Sequence, residues 1–234
     1  KGIKAEVFIG GSMAKNTLVK KANYDIDIFL RFNSKYSEEE INRYMRKIFF
    51  WFTIPRHRVK VKRVHGSRDY YKIILRKCNN IEFEVVPGVK ISNPEEARNI
   101  TDLSYFHVDY IRKKLSKNSK LSNEIILAKS FCHSQGCYGA ESFVRGFSGY
   151  ALELLIIHYK TFLDFLKEVS KEEKIVLDPA KHYKSKEEIF EKLSKAKTQG
   201  PIILIDPTYK ERNAANALSK EIFEKFKDAA KKYL

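Results

Sequence analysis

The sequence predicts an α+β fold in two parts, a small mixed sheet with short helices followed by a mostly helical region. Before Pro87, short runs alternate polar and apolar residues with the period of a β-strand. After Pro87, apolar residues recur every three to four positions, which is typical of amphipathic helices. A chain of 234 residues accommodates two domains, which we place at residues 1–91 and 92–234.

The strands predicted in the first part are Ala5–Ile9, Tyr24–Phe32, Arg58–Val64, Tyr70–Arg76 and Ile81–Val86. The last two are expected to pair through a turn at Asn79-Asn80. A turn into a helix is expected after Gly10-Gly11-Ser12. Ser37 followed by Glu40 resembles a capping box and predicts a helix that runs to about Phe52.

Helical periodicity in the second part covers Glu95–Leu115, Asn123–Gln135 and Ser148–Val169, with Asn, Ser and Gly at the breaks. A short strand is predicted at Ile202–Ile205. An amphipathic helix is predicted at Asn213–Lys232. These elements predict a domain that is helical apart from one strand.

The charge of the chain is strongly positive, with 45 Lys and Arg against 29 Asp and Glu and a formal net charge of +16. Such an excess is typical of proteins that bind nucleic acid, because each contacted phosphate releases a counterion. Charge alone does not separate DNA from RNA. A lysine-rich background composition and an acidic membrane surface are the alternatives.

Neither a membrane span nor a sulfur-based metal site is predicted. The longest apolar stretch, Ala151–Ile157, is too short to cross a bilayer, and no leader opens the sequence, so we expect a soluble cytoplasmic protein. Cys78, Cys132 and Cys137 contain no C-x-x-C pair, which argues against disulfides and zinc. Any metal ion is therefore expected to be held by carboxylates.

Asp25 and Asp27 are the first candidates for such a site. They are two positions apart on a predicted strand, so their carboxylates point to one face, about 7 Å apart. Two acids at this spacing can share the metal ions of phosphoryl transfer, and hard oxygen ligands favour magnesium. A solvent-facing strand is the alternative, since D-x-D alone is a weak signal.

The segment Gly10-Gly11-Ser12 lies upstream of these acids, between a strand and a helix. Glycines allow a phosphate to approach the backbone closely, and the Ser12 hydroxyl and Lys15 ammonium can contact its oxygens. Thr17 follows about one turn later. A simple turn with a helix cap is the alternative, but the combination with D-x-D favours a triphosphate site.

A third acid is expected from a neighbouring strand. Glu82 and Glu84 alternate with apolar residues in Ile81–Val86 and share one strand face. Strand alternation does not decide between them, and an exposed strand face is the ordinary alternative.

These motifs resemble the class I, archaeal-type CCA-adding enzymes, which are tRNA nucleotidyltransferases of the polymerase β superfamily. The resemblance covers nearly the whole chain, and its most specific string is YGAESFVRGFSGY. The segments that carry it are GGSMAKNT at Gly10–Thr17, DIDIF at Asp25–Phe29, IEFEVVPG at Ile81–Gly88, TDLSYFHVDYI at Thr101–Ile111, NEIILAKSF at 123–131, CYGAESFVRGFSGYALELLIIHY at Cys137–Tyr159 and IDPTYKERNAANALS ending at Ser219.

The resemblance implies a polymerase β-like palm as the first domain. Asp25, Asp27 and Glu84 would be the catalytic acids and would hold two Mg²⁺ ions, with Glu84 in the family's third-acid position. The triphosphate of ATP or CTP would be bound by residues of the first motif, namely Gly11, Ser12, Lys15 and Thr17.

For the helical domain, the resemblance implies that His107, Lys129 and Tyr138 complete the nucleotide pocket and that Arg212 reaches toward the base or its phosphates. Arg145 is a secondary candidate for contact with RNA, in a segment expected to be a packed turn. The ordinary alternatives are a boundary histidine for His107 and a surface lysine for Lys129.

The sequence departs from the family pattern at three positions. The family usually has Asp where this chain has Glu84, and the extra methylene shifts the carboxylate. Lys15 replaces an Arg, which removes bidentate phosphate recognition, and Asn16 replaces a Gly. The family's leading helices and tail domain are also missing from this sequence, so we expect a fragment or a reduced enzyme.

The expected function is template-independent addition of C, C and A to the 3′ end of tRNA from CTP and ATP, with release of pyrophosphate. The partners would be tRNA and nucleoside triphosphates, without a membrane or an evident protein partner, and a homodimer stays open. The alternatives are a poly(A)-forming, oligoadenylate-forming or protein-modifying relative and a catalytically weakened tRNA-binding module.

Overall fold

A computed structural model describes residues 2–20, 24–52, 59–75 and 81–234. The chain divides into two compact units, Lys1–Asp109 and Tyr110–Leu234. The predicted boundary at residue 91 follows the last strand of the first unit, which ends at Lys90. The contacts of the first unit then continue to Asp109.

The first unit is built on a mixed sheet, as predicted. Its strands are β1 (Ala5–Ile9), β2 (Tyr24–Asn33), β3 (Val59–Val64), β4 (Tyr70–Leu75) and β5 (Ile81–Lys90). Their order is β1-β2-β5-β4-β3. Strands β2 and β5 are parallel, and the other neighbours are antiparallel. Arg58, Arg76 and the expected turn at Asn79-Asn80 lie outside the described residues.

The pairing of β4 with β5 is confirmed. A two-residue turn at Asn79-Asn80 would place Lys72 opposite Pro87, whereas Lys72 lies opposite Glu84. Because side chains alternate between faces, this shift of three residues moves Lys72 to the other side of the sheet.

Two helices accompany the sheet, α1 (Gly11–Ala14) and α2 (Glu38–Phe52). The predicted capping box starts α2, since the Glu40 N–H donates to Ser37 Oγ at 3.2 Å and the Ser37 N–H donates to Glu40 Oε2 at 2.9 Å. Helix α2 covers one face of the sheet, where Phe49 stacks on Tyr71 with ring centroids 4.2 Å apart.

The helix predicted at Glu95–Leu115 starts later than expected. Two 3₁₀ turns, Pro94–Glu96 and Ile100–Leu103, precede helix α3 (Ser104–Lys117). Asn99 caps the second turn, and the Asp102 carboxylate accepts from the Asn99 N–H at 3.0 Å. These caps satisfy the backbone locally and stop a longer helix from forming.

The second unit contains helices α4 (Lys120–Ser134), α5 (Gly149–Tyr159), α6 (Phe162–Lys171), α7 (Lys186–Lys192), α8 (Lys195–Thr198) and α9 (Lys220–Tyr233). The single helix predicted at Ser148–Val169 is therefore wrong, because it is divided into α5 and α6. Lys160 at the break has φ 75°, and Thr161 Oγ1 accepts from the Asp164 N–H at 3.0 Å to start α6.

A small sheet with the order β6-β7-β8 completes the second unit, and two of its strands were not predicted. Its strands are β6 (Ile175–Leu177), β7 (Ile202–Asp206) and β8 (Tyr209–Asn213). The predicted strand at Ile202–Ile205 is confirmed within β7. The helix predicted from Asn213 begins only at Lys220, because Asn213 belongs to β8 and Ser219 caps α9.

Helix α5 is the centre of the second core, and its residues Ala151 to Ile157 are all buried. Among the described cysteines, Cys132 and Cys137 are free and buried, and burial raises the pKa of both thiols. Cys78 lies outside the described residues. In the described part of the chain, no helix combines the length and apolar character that a membrane crossing requires.

Candidate functional site

Asp25 and Asp27 lie on β2 with their side chains on the sheet face away from α2. They alternate with Ile26 and Ile28, and Phe32 of the opposite face is fully buried. Both aspartates are half-buried. The alternation of the sequence therefore places two carboxylates side by side on the face away from α2.

The backbone at Gly10 and Gly11 approaches Asp27 from the β1 side. The Gly10 N–H donates to the Asp27 carbonyl oxygen at 2.9 Å. Gly11 has φ +60°, and a Cβ built on it would lie 1.7 Å from Asp27 Oδ2. Only glycine combines this backbone conformation with this close approach to the carboxylate.

The remaining residues of the first motif form a tight turn after Gly11. The Ser12 carbonyl accepts from the Thr17 N–H at 3.0 Å, and Lys15 and Thr17 are buried. Asn16 has φ 54°, a conformation that Asn tolerates better than most residues and that explains its place where the family has Gly. Helix α1 has only 4 residues, so its dipole adds little to the electrostatics of this turn.

Glu84 lies directly opposite Asp27, and Glu82 lies opposite Asp25, on the neighbouring strand β5. Glu84 Oε1 is 2.6 Å from Lys72 Nζ, and Glu82 Oε2 is 3.4 Å from the same nitrogen. Burial lowers the pKa of Lys72, but the hydrogen bond to Glu84 and the nearby charges, chiefly that of Glu84, together outweigh burial and raise the pKa above its ordinary value. Lys72 therefore stays protonated beside the third acid.

The donor set fits a hard divalent cation in chemistry and placement. Asp25, Asp27 and Glu84 offer carboxylate oxygens on one sheet face, and the missing side chain of Gly11 leaves room beside Asp27. Among the described residues, no three such side chains are already gathered around one point. The ion pair with Lys72 accounts for this, since Glu84 has to turn from the ammonium to join the aspartates.

In the second unit, Lys129 is buried on α4 rather than exposed at the surface. Its Nζ lies 2.7 Å from Glu153 Oε1 of α5, and the two side chains are 2% and 0% exposed. The alternative of a surface lysine is wrong, because the helical stripe that carries Lys129 faces α5. Helix α5 is apolar on nearly every side, so Glu153 has few other polar groups to meet.

Tyr138 lies close to this buried pair. Its ring stacks on His133, with centroids 3.8 Å apart. A Cβ added to Gly149 would lie 2.7 Å from Tyr138 Oη and 3.7 Å from Lys129 Nζ. The structure therefore brings Lys129 and Tyr138 together at the first turn of α5.

Arg212 lies on β8 and is held by Asp206 at the end of β7. Its Nη1 is 2.7 Å from Asp206 Oδ2, and its guanidinium lies over the Tyr150 ring at 5.5 Å. Asp206 is fully buried and also accepts from Tyr150 Oη at 3.0 Å. Burial and the Asp206 carboxylate raise the pKa of Tyr150 well above its ordinary value, so its hydroxyl remains a donor.

The other two predicted residues occupy different settings. His107 is half-buried on α3 within the first unit. Arg145 is exposed, has φ 54°, and its carbonyl accepts from the Ser219 N–H at 2.9 Å. The next residue, Gly146, has no room for a Cβ, which would lie 2.2 Å from the Cys137 carbonyl oxygen. This segment is a packed turn, as expected.

The structure thus groups Gly11, Asp27 and Glu84 in the first unit and Lys129 with Tyr138 in the second. Three charged partners of these residues were not predicted, namely Lys72, Glu153 and Asp206. Lys72 lies on β4, two strands from Asp27, and this position is the feature that links it to the site. The link can be recognised only when the register of β4 and β5 is known.

The sequence matches two described domain families. Residues 1–102 match "Nucleotidyltransferase domain", and residues 123–234 match "tRNA nucleotidyltransferase, second domain". Together with the mixed sheet and its D-x-D strand, the first match defines residues 1–102 as a nucleotidyltransferase domain.

The chain is similar over most of its length to archaeal CCA-adding enzymes. It is 40% identical over 219 residues to the CCA-adding enzyme of Nanoarchaeum equitans, covering 93% of this chain and 52% of that protein. It is 34% identical over 229 residues to the CCA-adding enzyme of Methanocaldococcus jannaschii, covering 94% of this chain and 48% of that protein. The chain spans about half the length of these relatives.

Solved structures with similar folds include terminal uridylyl transferase 4 from Trypanosoma brucei with bound UPU. The TM-score is 0.73 at 12% identity, and the match covers 97% of this chain and 86% of that one. The Cid1 poly(U) polymerase matches with a TM-score of 0.70 at 12% identity, over 96% of this chain and 79% of that one. At this identity the likeness shows the fold.

Proposed function

We propose that this chain adds CMP and then AMP from CTP and ATP to the 3′ hydroxyl of tRNA, releasing pyrophosphate without a template. The observation that carries the proposal is the row formed by Gly11 after β1, Asp27 on β2 and Glu84 on β5. The names of the relatives support tRNA as the acceptor.

In this proposal, Asp25, Asp27 and Glu84 hold two magnesium ions. When bound, the ions activate the attacking hydroxyl and stabilise the leaving pyrophosphate. Glu84 is the acid on the β5 side, away from Gly11, and it is the candidate to accept the proton of the attacking hydroxyl. Its present partner is Lys72, at 2.6 Å, so catalysis requires Glu84 to leave that ammonium.

The triphosphate occupies the Gly11 side of the aspartates. The turn there is lined by the Gly11 backbone, the Ser12 hydroxyl and the Lys15 ammonium. The Thr17 N–H donates a hydrogen bond to the Ser12 carbonyl oxygen, which keeps the turn closed. Lysine supplies a point charge rather than a bidentate fork, so this subsite fixes the phosphates less rigidly than an arginine would.

The second unit supplies the groups that read the base. Arg212 offers a planar donor fork that Asp206 holds in place, and it is the candidate for base-edge recognition. Tyr138 provides a ring for stacking or hydrogen bonding, and His107 of the first unit provides another. Lys129 contacts phosphate only by leaving Glu153, since its ammonium is buried against that carboxylate.

The test is an extension assay with magnesium, using tRNA that ends at the discriminator base and tRNA that lacks only the terminal A. We expect CTP and ATP together to extend the first substrate and ATP alone to extend the second. Asp27→Asn should lower the rate by about 10³-fold or more, because charge stabilisation by the metals depends on this carboxylate. Asp228→Asn, an exposed change on α9, is the matched control.

A catalytically weakened tRNA-binding module is the second candidate, and the Lys72–Glu84 ion pair favours it. In that case the folded wild-type protein would bind tRNA but extend neither substrate, and Asp27→Asn would bind tRNA as the wild type does. Extension of an unrelated RNA with equal efficiency would instead point to another terminal nucleotidyltransferase.

A further inference from the structure

The sheet face that carries the aspartates continues past Glu84 onto β4 and β3. Lys72 on β4 lies opposite Glu84, and Lys62 on β3 lies opposite Lys72. Since cross-strand partners share a face, Lys62 points to the same side as Asp27. Lys60 is two residues earlier on β3 and also points to that side. The face therefore changes from acidic at β2 and β5 to basic at β4 and β3.

The lysines of β3 are exposed, whereas their neighbours Val59 and Val61 are half-buried. Lys62 stands directly opposite another lysine, a pairing of like charges that destabilises a sheet. Arg63, on the other face of β3, donates from Nε to Asp69 Oδ2 at 3.0 Å. Among the described residues, Lys60 and Lys62 have no such acid, so the positive charge on the aspartate side is left for a ligand.

The two sides of the aspartates differ. Gly10 and Gly11 contact Asp27 from the β1 side, whereas Glu84 flanks it from the β5 side. In phosphoryl transfer the attacking and leaving oxygens lie roughly in line, on opposite sides of the phosphorus atom. If pyrophosphate leaves on the Gly11 side, the attacking hydroxyl enters from the side of β5, β4 and β3.

We propose that Lys60 and Lys62 bind backbone phosphates of the acceptor RNA strand, a few nucleotides before its 3′ end. The inference rests on the proposed function and adds the path of the acceptor to it. Lys62 is three strand spacings from Asp27, which is roughly 14 Å. This distance places it beyond the terminal nucleotide, over the phosphates that precede it.

The experiment compares Lys60→Gln/Lys62→Gln with the wild type in two measurements. Fluorescence anisotropy gives the Kd for an RNA acceptor stem as a function of salt, and steady-state extension gives KM for RNA and for ATP. Arg46→Gln/Lys47→Gln is the matched control, because it removes two charges from exposed positions on α2, over the opposite face. Lys60→Arg/Lys62→Arg retains the charges and should behave as the wild type.

We expect the Gln pair on β3 to weaken RNA binding about 20-fold at 0.1 M salt and to reduce the slope of log Kd against log salt by about 1.4, the value for two phosphate contacts to a single strand. KM for RNA should rise in parallel, and KM for ATP should stay within about twofold. The control pair should change RNA binding by less than about threefold.

The inference is overturned if the β3 variant binds RNA like the α2 control, if only KM for ATP rises, or if the wild-type protein binds no RNA. The proposed function fails separately. A wild-type protein that binds RNA without extending it, while the β3 variant loses that binding, would reject tRNA extension and retain the RNA path over β3.

Discussion

Two ion pairs beside the predicted site residues lie in different environments, one in each unit. In the first unit, Lys72 and Glu84 form an ion pair on the sheet face away from α2, with side chains 26% and 20% exposed. In the second unit, Lys129 and Glu153 form an ion pair of similar length that is 2% and 0% exposed. The same lysine–glutamate chemistry is thus partly exposed in the first pair and enclosed in the second.

This difference in exposure suits the two pairs to different roles, one in binding and one in stability. A partly exposed pair gains little net stability, so it can exchange its partner for a substrate group at low cost. A buried pair has lost its hydration, and removal of one member leaves a charge that water cannot reach. We therefore expect changes on the sheet face to alter activity and changes to the buried pairs to alter folding.

The largest expected effect follows from Glu153→Ala. Loss of this carboxylate removes the charge that faces Lys129 in the core, and breaking a buried pair costs about 3–5 kcal/mol. Urea denaturation should show this loss as a lower midpoint at an unchanged slope. Glu168→Ala is the control, because Glu168 pairs with Lys171 at 2.9 Å on the surface, and its loss should cost below about 1 kcal/mol. Equal effects of the two changes would contradict the contrast between buried and exposed pairs.

A smaller effect is expected from Asp206→Asn. The amide oxygen can still accept from Tyr150 Oη, but the charge that faces Arg212 is lost from a fully buried position. Hydrogen bonds to charged groups contribute about 1.5–3 kcal/mol, so we expect a loss of free energy of unfolding in this range. Glu211→Gln, an exposed neighbour on β8, should stay within about 0.5 kcal/mol. A midpoint for Asp206→Asn that matches the control would show that Arg212 does not depend on Asp206.

The first unit was the more predictable from the sequence, for a physical reason. Alternation in Asp25-Ile26-Asp27-Ile28 fixes which side chains share a face, and one covered face makes that pattern strict. The aspartates and the glycine turn could therefore be placed without a structure. The choice of Glu84 over Glu82 came from the resemblance, and both lie on the same face in the structure.

The partners of the site residues could not be predicted, because they depend on register and packing. A two-residue turn at Asn79-Asn80 would place Lys72 on the opposite face, away from Glu84, so the turn residues alone do not give the register. Glu153 and Asp206 lie within apolar runs, where the sequence shows an acid but not the cation that it meets from another element. The strands β6 and β8 are short, and strand periodicity is weak over 3 to 5 residues.

Gly11→Ala is expected to change stability least among the three test variants. It is nevertheless expected to lower activity strongly. The left-handed backbone at φ +60° costs an alanine about 1–2 kcal/mol, and its Cβ would lie 1.7 Å from Asp27 Oδ2, so the carboxylate must move. A displacement of about 1 Å in a catalytic group lowers rates by about 10²-fold, which the extension assay should detect in kcat. Gly2→Ala is the matched control, since a Cβ there meets nothing within 4 Å. If Gly11→Ala lost stability but kept its activity, the site would not depend on the close approach of this glycine to Asp27, and the sheet face would lose its assigned role.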